Sequence, residues 1–206
     1  MRTRVAALML AGATVLAVAC GGDGGVQDAD TGFQPVRIGA SGFGGGAPQP
    51  LAAGTLSVSK IADGATFFAR VEDAGGTDLP EGENARFRLA GVDAPSPADE
   101  ECLAGTSKTH LRGIVRGAHD VSFVLAEGAE TDDPDGVPVH LWSRGLWVNG
   151  EVLARGYAEL GDDTGDRRQH AAAAEEFARE REQGVWNPSL CDDGDDGAAG
   201  ATEEGA

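Results

Sequence analysis

From residue 56 onward the chain carries short runs in which apolar and polar residues alternate, and the order of those runs restricts the fold more than any other feature. Leu56-Ser57-Val58 opens the first run and Asp63-Gly64 marks a turn. Phe67, Ala69 and Val71 then share one face of a second run, opposite Phe68, Arg70 and Glu72. A period of two belongs to half-buried strands, so this pair predicts a hairpin. A third run turns Phe87 and Leu89 inward and Arg86 and Arg88 outward before the breaker segment 91–95. Leu111, Ile114 and Val115 follow at helical spacing, with Thr106 or Ser107 available as N-cap and Gly117 past the end. Runs 121–126 and 139–142 predict two more strands. Asn149 can cap a short helix through Val152 and Leu153 that stops at Gly156, and Asp166 can open a longer one through Ala174, Phe177 and Ala178. Five strands with one helix after the third and two at the end predict a mainly-β, α+β domain: a five-stranded OB-type Greek-key barrel with three helices.

The flanks have a different character. Arg2 and Arg4 precede a charge-free apolar run at 5–19, the layout of a secretory signal. That run is shorter than the roughly 20 residues that cross a bilayer. Ala17-Val18-Ala19 abuts Cys20 and resembles the lipobox of bacterial lipoproteins, with the usual Leu at position 16 rather than 17. The resemblance implies that residues 1–19 are a lipoprotein signal peptide and that Cys20 is acylated, several acyl chains together anchoring stably to a membrane. Ordinary cleavage after Ala19 would instead leave Cys20 a free thiol. Residues 20–54 are a Gly-rich flexible tether, with 11 Gly and 3 Pro between Gly21 and Gly54. Residues 55–191 are the folded domain. Residues 192–206, with six acids and no base, are an acidic disordered tail. Asp192-Asp193-Gly194-Asp195-Asp196-Gly197 within it lacks the closing bidentate acid of a calcium loop.

Charge and thiols narrow the partners. The formal charge of −18 becomes −20 once Arg2 and Arg4 are removed, and residues 55–191 alone carry −12. Nonspecific nucleic-acid affinity comes from neutralising phosphates with cations, so strong DNA or RNA binding is not expected. Cys102 and Cys191 are the thiols left after Cys20 is lipidated, and in an oxidising compartment they predict a disulfide.

Four segments in order resemble the staphylococcal nuclease, or thermonuclease-like, family over about residues 56–191. They are Ile61-Ala62-Asp63-Gly64-Ala65-Thr66, Phe87-Arg88-Leu89-Ala90-Gly91-Val92-Asp93-Ala94-Pro95, Val148-Asn149-Gly150-Glu151-Val152-Leu153-Ala154-Arg155-Gly156-Tyr157-Ala158 and Gly184-Val185-Trp186. The resemblance implies an OB barrel with three helices and a Ca²⁺-dependent phosphodiesterase site. In such a site two Asp and a backbone carbonyl hold the cation. A Glu activates water, and two Arg stabilise charge on the phosphoryl oxygens. Carried over, Asp93 is the second metal Asp, Ala94 supplies the carbonyl and Arg88 is the first Arg. The first metal Asp falls on Ala65 and the Glu on Ser96. The second Arg falls on Gly136 or Val137, depending on a one-residue gap. The nucleotide-flanking tyrosines are replaced by Gly161, Asp162 and Asp163, and Tyr157 is the chain's one Tyr.

A missing base costs about 10²–10⁴ in rate and a missing charge-stabilising Arg about 10³–10⁵, so these losses predict inactivity. The alternative is a working Ca²⁺-dependent endonuclease in which Glu100 or Glu101 relocates as base and Asp63 reaches the metal beside Asp93. Arg88 has a second reading as the partner of a neighbouring surface acid. His110, His119, His140 and His170 lack metal-ligand spacing and are taken as surface or cap residues. Asp132-Asp133-Pro134-Asp135-Gly136 is a solvated hairpin tip by composition. The sequence therefore predicts a noncatalytic binding or scaffold module, membrane-anchored on the periplasmic or surface face of the cell envelope. Its partners are the membrane, through the lipid on Cys20, and an unidentified protein or other envelope component. No cofactor is expected, or Ca²⁺ if the site works.

Overall fold

The computed structural model describes residues 42–43, 54–118, 121–162 and 165–191, with backbone alone at 166. The signal 1–19, Cys20, nearly all of the tether, His119, Asp163 and the tail 192–206 lie outside the described residues.

β1 (Gly54–Ile61) and β2 (Thr66–Asp73) form an antiparallel hairpin, and β3 (Asn84–Leu89) adds to β2. After the two-residue strand β4 (Val92–Asp93) comes helix α1 (Ala104–Val115). β5 (Val121–Leu125) then pairs with β1, and β6 (Val137–Ser143) pairs antiparallel with β5 and parallel with β3. That last pairing closes a five-stranded barrel. β7 (Leu146–Trp147) turns back on the end of β6 and runs into α2 (Val148–Ala154); β8 (Glu159–Leu160) pairs with β4. A 3₁₀ turn (Gly165–Arg167) leads into α3 (Arg168–Arg179), and a second (Gly184–Trp186) into a fourth short helix, α4 (Pro188–Cys191), which the sequence reading did not anticipate.

The alternation behind the prediction is visible where a strand has one wet face. In β2, Phe67, Ala69 and Val71 are buried while Arg70 and Glu72 are exposed; in β3, Phe87 and Leu89 are buried. Inside the barrel Phe67 stacks on Phe87 at 5.6 Å between ring centroids, and Phe123 completes the row at 6.0 Å from Phe87. Each such ring contributes about 1.5–3 kcal/mol by leaving water. β6 is buried along its whole length: α2, itself entirely buried, packs on it, Trp147 lies beside His140 and Arg167 lies over the Trp142 ring at 5.6 Å.

The helix starts depart from the capping readings. α1 begins at Ala104 after Leu103 in the left-handed region (φ 64°), without a side-chain cap, and Ser107 is fully buried within the helix. Asn149 does not cap α2, since the residue at that position is Trp147 and Asn149 lies buried inside the helix. Asp166 falls in the 3₁₀ turn before α3.

The end of α2 meets the segment after α3 through two glycines. Gly156 (φ +65°) and Gly184 (φ +58°) bring backbone against backbone, with the Val185 N–H donating to the Gly156 carbonyl at 2.8 Å. A Cβ at Gly156 would lie 2.0 Å from the Gln183 carbonyl oxygen, so only glycine fits.

Candidate functional site

The β1–β2 turn is built by Asp63. Its Oδ1 accepts the backbone N–H groups of Ala65 at 2.8 Å and Thr66 at 2.6 Å, an Asx-type closure of the hairpin. Gly64 beside it touches two other elements: a Cβ there would lie 1.8 Å from Ser107 Oγ of α1 and 2.9 Å from the Ala94 Cβ. Ala65 is buried and its carbonyl accepts the Leu89 N–H at 2.9 Å. Thr66 pairs across the ladder with Arg88, which pairs on its other side with Pro138. Turn 63–66, the end of β3, the start of β6 and the loop after β4 therefore converge.

What converges is poor in reactive groups. Arg88 donates its Nε–H to the Gly136 carbonyl at 3.1 Å and sets Nη2 3.5 Å from Asp133 Oδ2. The Asp132–Gly136 segment is indeed a turn in the β5–β6 connection, since Asp133 Oδ1 accepts the Asp135 N–H at 2.8 Å. Its tip is engaged with the barrel through Arg88, as the surface-pairing reading of that residue requires. Of the two positions left open, Val137 is 2 % exposed, packed in the core and paired with Phe87, whereas Gly136 lies against Arg88.

Asp93 is exposed on β4 opposite Glu159 and rims a recess of about 300 Å³ that Glu101 also lines, beside Cys102 and Cys191. Three carboxylates with no cation among the lining residues oppose an anionic substrate. The Ser96 N–H donates to Glu101 Oε2 at 2.5 Å, which engages one of the two acids considered as a relocated base; the other, Glu100, is exposed with φ 58°. Among the described residues no group of three or more His, Cys, Asp or Glu side chains is placed to hold a metal ion. Cys102 and Cys191 meet with their Cα atoms 5.6 Å apart in a disulfide that joins the approach to α1 to the end of α4.

The histidines are less peripheral than their spacing implied. His140 is fully buried in β6, where its ring lies 6.2 Å from Trp147, and His170 meets Trp147 edge-on at 6.3 Å. His110 packs 4.6 Å from the Tyr157 ring, near the buried Glu151, whose Oε1 accepts the Arg155 Nε–H at 3.2 Å. Burial is the main cause that holds the His110 imidazole below the ordinary histidine range; Glu151 opposes this and Arg155 adds to it.

Local pattern reading also missed the buried amide of Asn149. Its Oδ1 accepts the Leu141 N–H at 2.9 Å, and its Nδ2 donates to the carbonyls of Ala90 at 3.0 Å and Val139 at 3.1 Å. That one side chain ties α2 to β6 and to the turn after β3.

No protein-family model matches the chain, and no curated protein sequence matches it.

Proposed function

We propose that the chain is a membrane-tethered lipoprotein whose thermonuclease-like, OB-type barrel has lost catalysis and serves as a noncatalytic binding or scaffold module at the cell envelope. The observation that carries this reading is the state of the converging positions. Ala65 brings no side-chain charge, nor does either Gly136 or Val137, and Arg88 is held by the Gly136 carbonyl and Asp133. Ser96 offers a hydroxyl where a general base is needed, and Asp63 has one carboxylate oxygen committed to its own turn. The barrel order β1-β2-β3-β6-β5, with β3 and β6 parallel and a helix between β3 and β5, supports the OB-type assignment.

The test is hydrolysis of DNA and RNA by the purified mature protein in millimolar Ca²⁺, with no cleavage expected above background. Ca²⁺-dependent cleavage that disappears in both Asp93→Ala and Arg88→Ala would establish the working endonuclease instead. Mass spectrometry of the membrane fraction tests the anchor separately: a chain beginning at acylated Cys20 is expected, and an unmodified soluble chain would refute it.

A further inference from the structure

The face of the domain between β1 and α1 has a charge opposite to that of the whole. Lys108, Arg112 and Arg116 recur every fourth residue along α1 and at its end, and Lys60 faces them from β1 across a groove of about 410 Å³. Val58, Ile61 and Val115 form an apolar floor beneath them. Among the described residues none of these four cations pairs with a carboxylate; Lys60 rests 5.4 Å from the centre of the Phe68 ring. Arg144 approaches the same end of α1, its Nη2 donating to the Arg116 carbonyl at 3.3 Å.

Like charges four residues apart repel on a helix, so the stripe is not what helix stability selects. The helix C-terminus favours Arg112 and Arg116, but it does not account for Lys60 arriving from a strand or for the hollow between them. In a segment that carries −12, four gathered cations over an apolar floor are complementary to an anion on an apolar body. Guanidinium forks and ammonium groups together suit the several oxygens of a phosphate better than a lone carboxylate. Acids elsewhere on the domain are screened beyond roughly 8–10 Å at physiological salt, so the groove acts through its own charges.

We infer that this groove binds an anionic phospholipid, the headgroup phosphate between Lys60, Arg112 and Arg116 and the first acyl carbons on Val58, Ile61 and Val115. That such a lipid lies within reach rests on the lipoprotein reading above; the binding itself does not. It would hold the domain against the surface from which the tether springs and so complete a two-signal attachment.

The test uses chain 20–206 carrying Cys20→Ser, so that no acyl chain contributes. Cosedimentation is measured with phosphatidylcholine vesicles with and without phosphatidylglycerol, and NMR shifts are followed with monomeric short-chain phosphatidylglycerol and with inorganic phosphate. Binding is expected for the anionic vesicles and the short-chain lipid, with shifts at Lys60, Lys108, Arg112 and Arg116. Each cation removed should weaken vesicle binding by about fivefold. Arg112→Glu with Arg116→Glu, both exposed and so tolerable to the fold, should abolish it, while Arg70→Glu on the outer face of β2 should leave it unchanged. Absence of lipid binding, indifference to the Arg112 and Arg116 changes, inorganic phosphate binding as well as the lipid, or a preference for duplex DNA would each overturn the proposal. Cys20 acylation, measured on the native chain, stands or falls independently.

Discussion

Arg88 and Gly136 are joined by a 3.1 Å hydrogen bond from the guanidinium Nε–H to the backbone carbonyl, across 48 positions of sequence. The bond aims the guanidinium at Asp133, so the cation is turned toward the hairpin tip. Of the two neighbours, Gly136 borders Arg88 while Val137 lies in the core.

An arginine placed at 137 should therefore destabilise the fold. Val137→Arg would bury a guanidinium beside Phe87 without a carboxylate partner, and the expected loss is about 3 kcal/mol or more, read as a collapse of the urea midpoint. Gly136→Arg meets a milder obstacle, since φ is +109° and the new Cβ would sit 3.1 Å from Arg86 Cγ. The folded fraction should stay higher for the 136 variant; the reverse order would show that the register of β6 against β3 is wrong.

The link between Cys102 and Cys191 closes a loop with a sequence separation of 89, worth on the order of 4–5 kcal/mol in the chain-entropy model. No residue of α4 is buried, so the disulfide is the main attachment of that helix. Denatured, nonreduced mature protein should yield no free thiol from this pair. Cys102→Ala with Cys191→Ala should lower the thermal midpoint and expose the chain after Trp186 to protease first. A double variant as stable and as protease-resistant as the parent would show that the crosslink contributes nothing.

His110 should make the protein less stable in mild acid. Its folded pKa is depressed, chiefly by burial, so below the ordinary histidine value near 6.5 the unfolded chain takes up a proton that the folded one resists. Stability from this group is present above that value and is lost as pH falls through the unfolded pKa toward the folded one. His110→Gln should flatten the difference in unfolding free energy between pH 7 and pH 5, and NMR titration should place the imidazole below a free histidine. Equal slopes in the two proteins would remove the idea.

How much of this was legible follows from what each residue contacts. Phe67, Ala69 and Val71 announced their strand because β2 has one wet face, and period two survives there. β6 gave a weaker signal, read only over 139–142, because every residue from Val137 to Ser143 is buried and nothing alternates. His140 was misjudged for the same reason. α1 began two residues before Thr106 and three before Ser107, the proposed caps, since the backbone turns at Leu103 with a positive φ and no side chain caps it. Arg88 and Asp133 belong to different hairpins, and no local pattern joins them; the acid partner was foreseeable in kind but not in identity. The cationic stripe at 108, 112 and 116 was passed over in the sequence, where only the apolar face of that helix was read, and Lys60 opposite it needed the fold.

Asn149 provides the sharpest stability test because its amide serves three backbone groups from a position with no exposed surface. In Asn149→Ala the Val139 carbonyl keeps a partner, since it also accepts the Ala90 N–H at 2.8 Å. The Leu141 N–H and the Ala90 carbonyl lose the amide that serves each of them. Each buried group so orphaned costs about 1–3 kcal/mol, which places the total near 3 kcal/mol once a small cavity is included. Asn149→Asp should be no better. A carboxylate can still accept from Leu141 but faces the Ala90 and Val139 carbonyls with lone pairs, and burial penalises its charge. Asn149→Gln retains the chemistry but adds a methylene where the residue has no exposed surface, so it should fall between parent and alanine. Urea unfolding of the four proteins orders them as parent, Gln, then Ala and Asp together. If alanine matched the parent within error, the amide would be an ornament of the helix rather than the tie between α2 and the barrel.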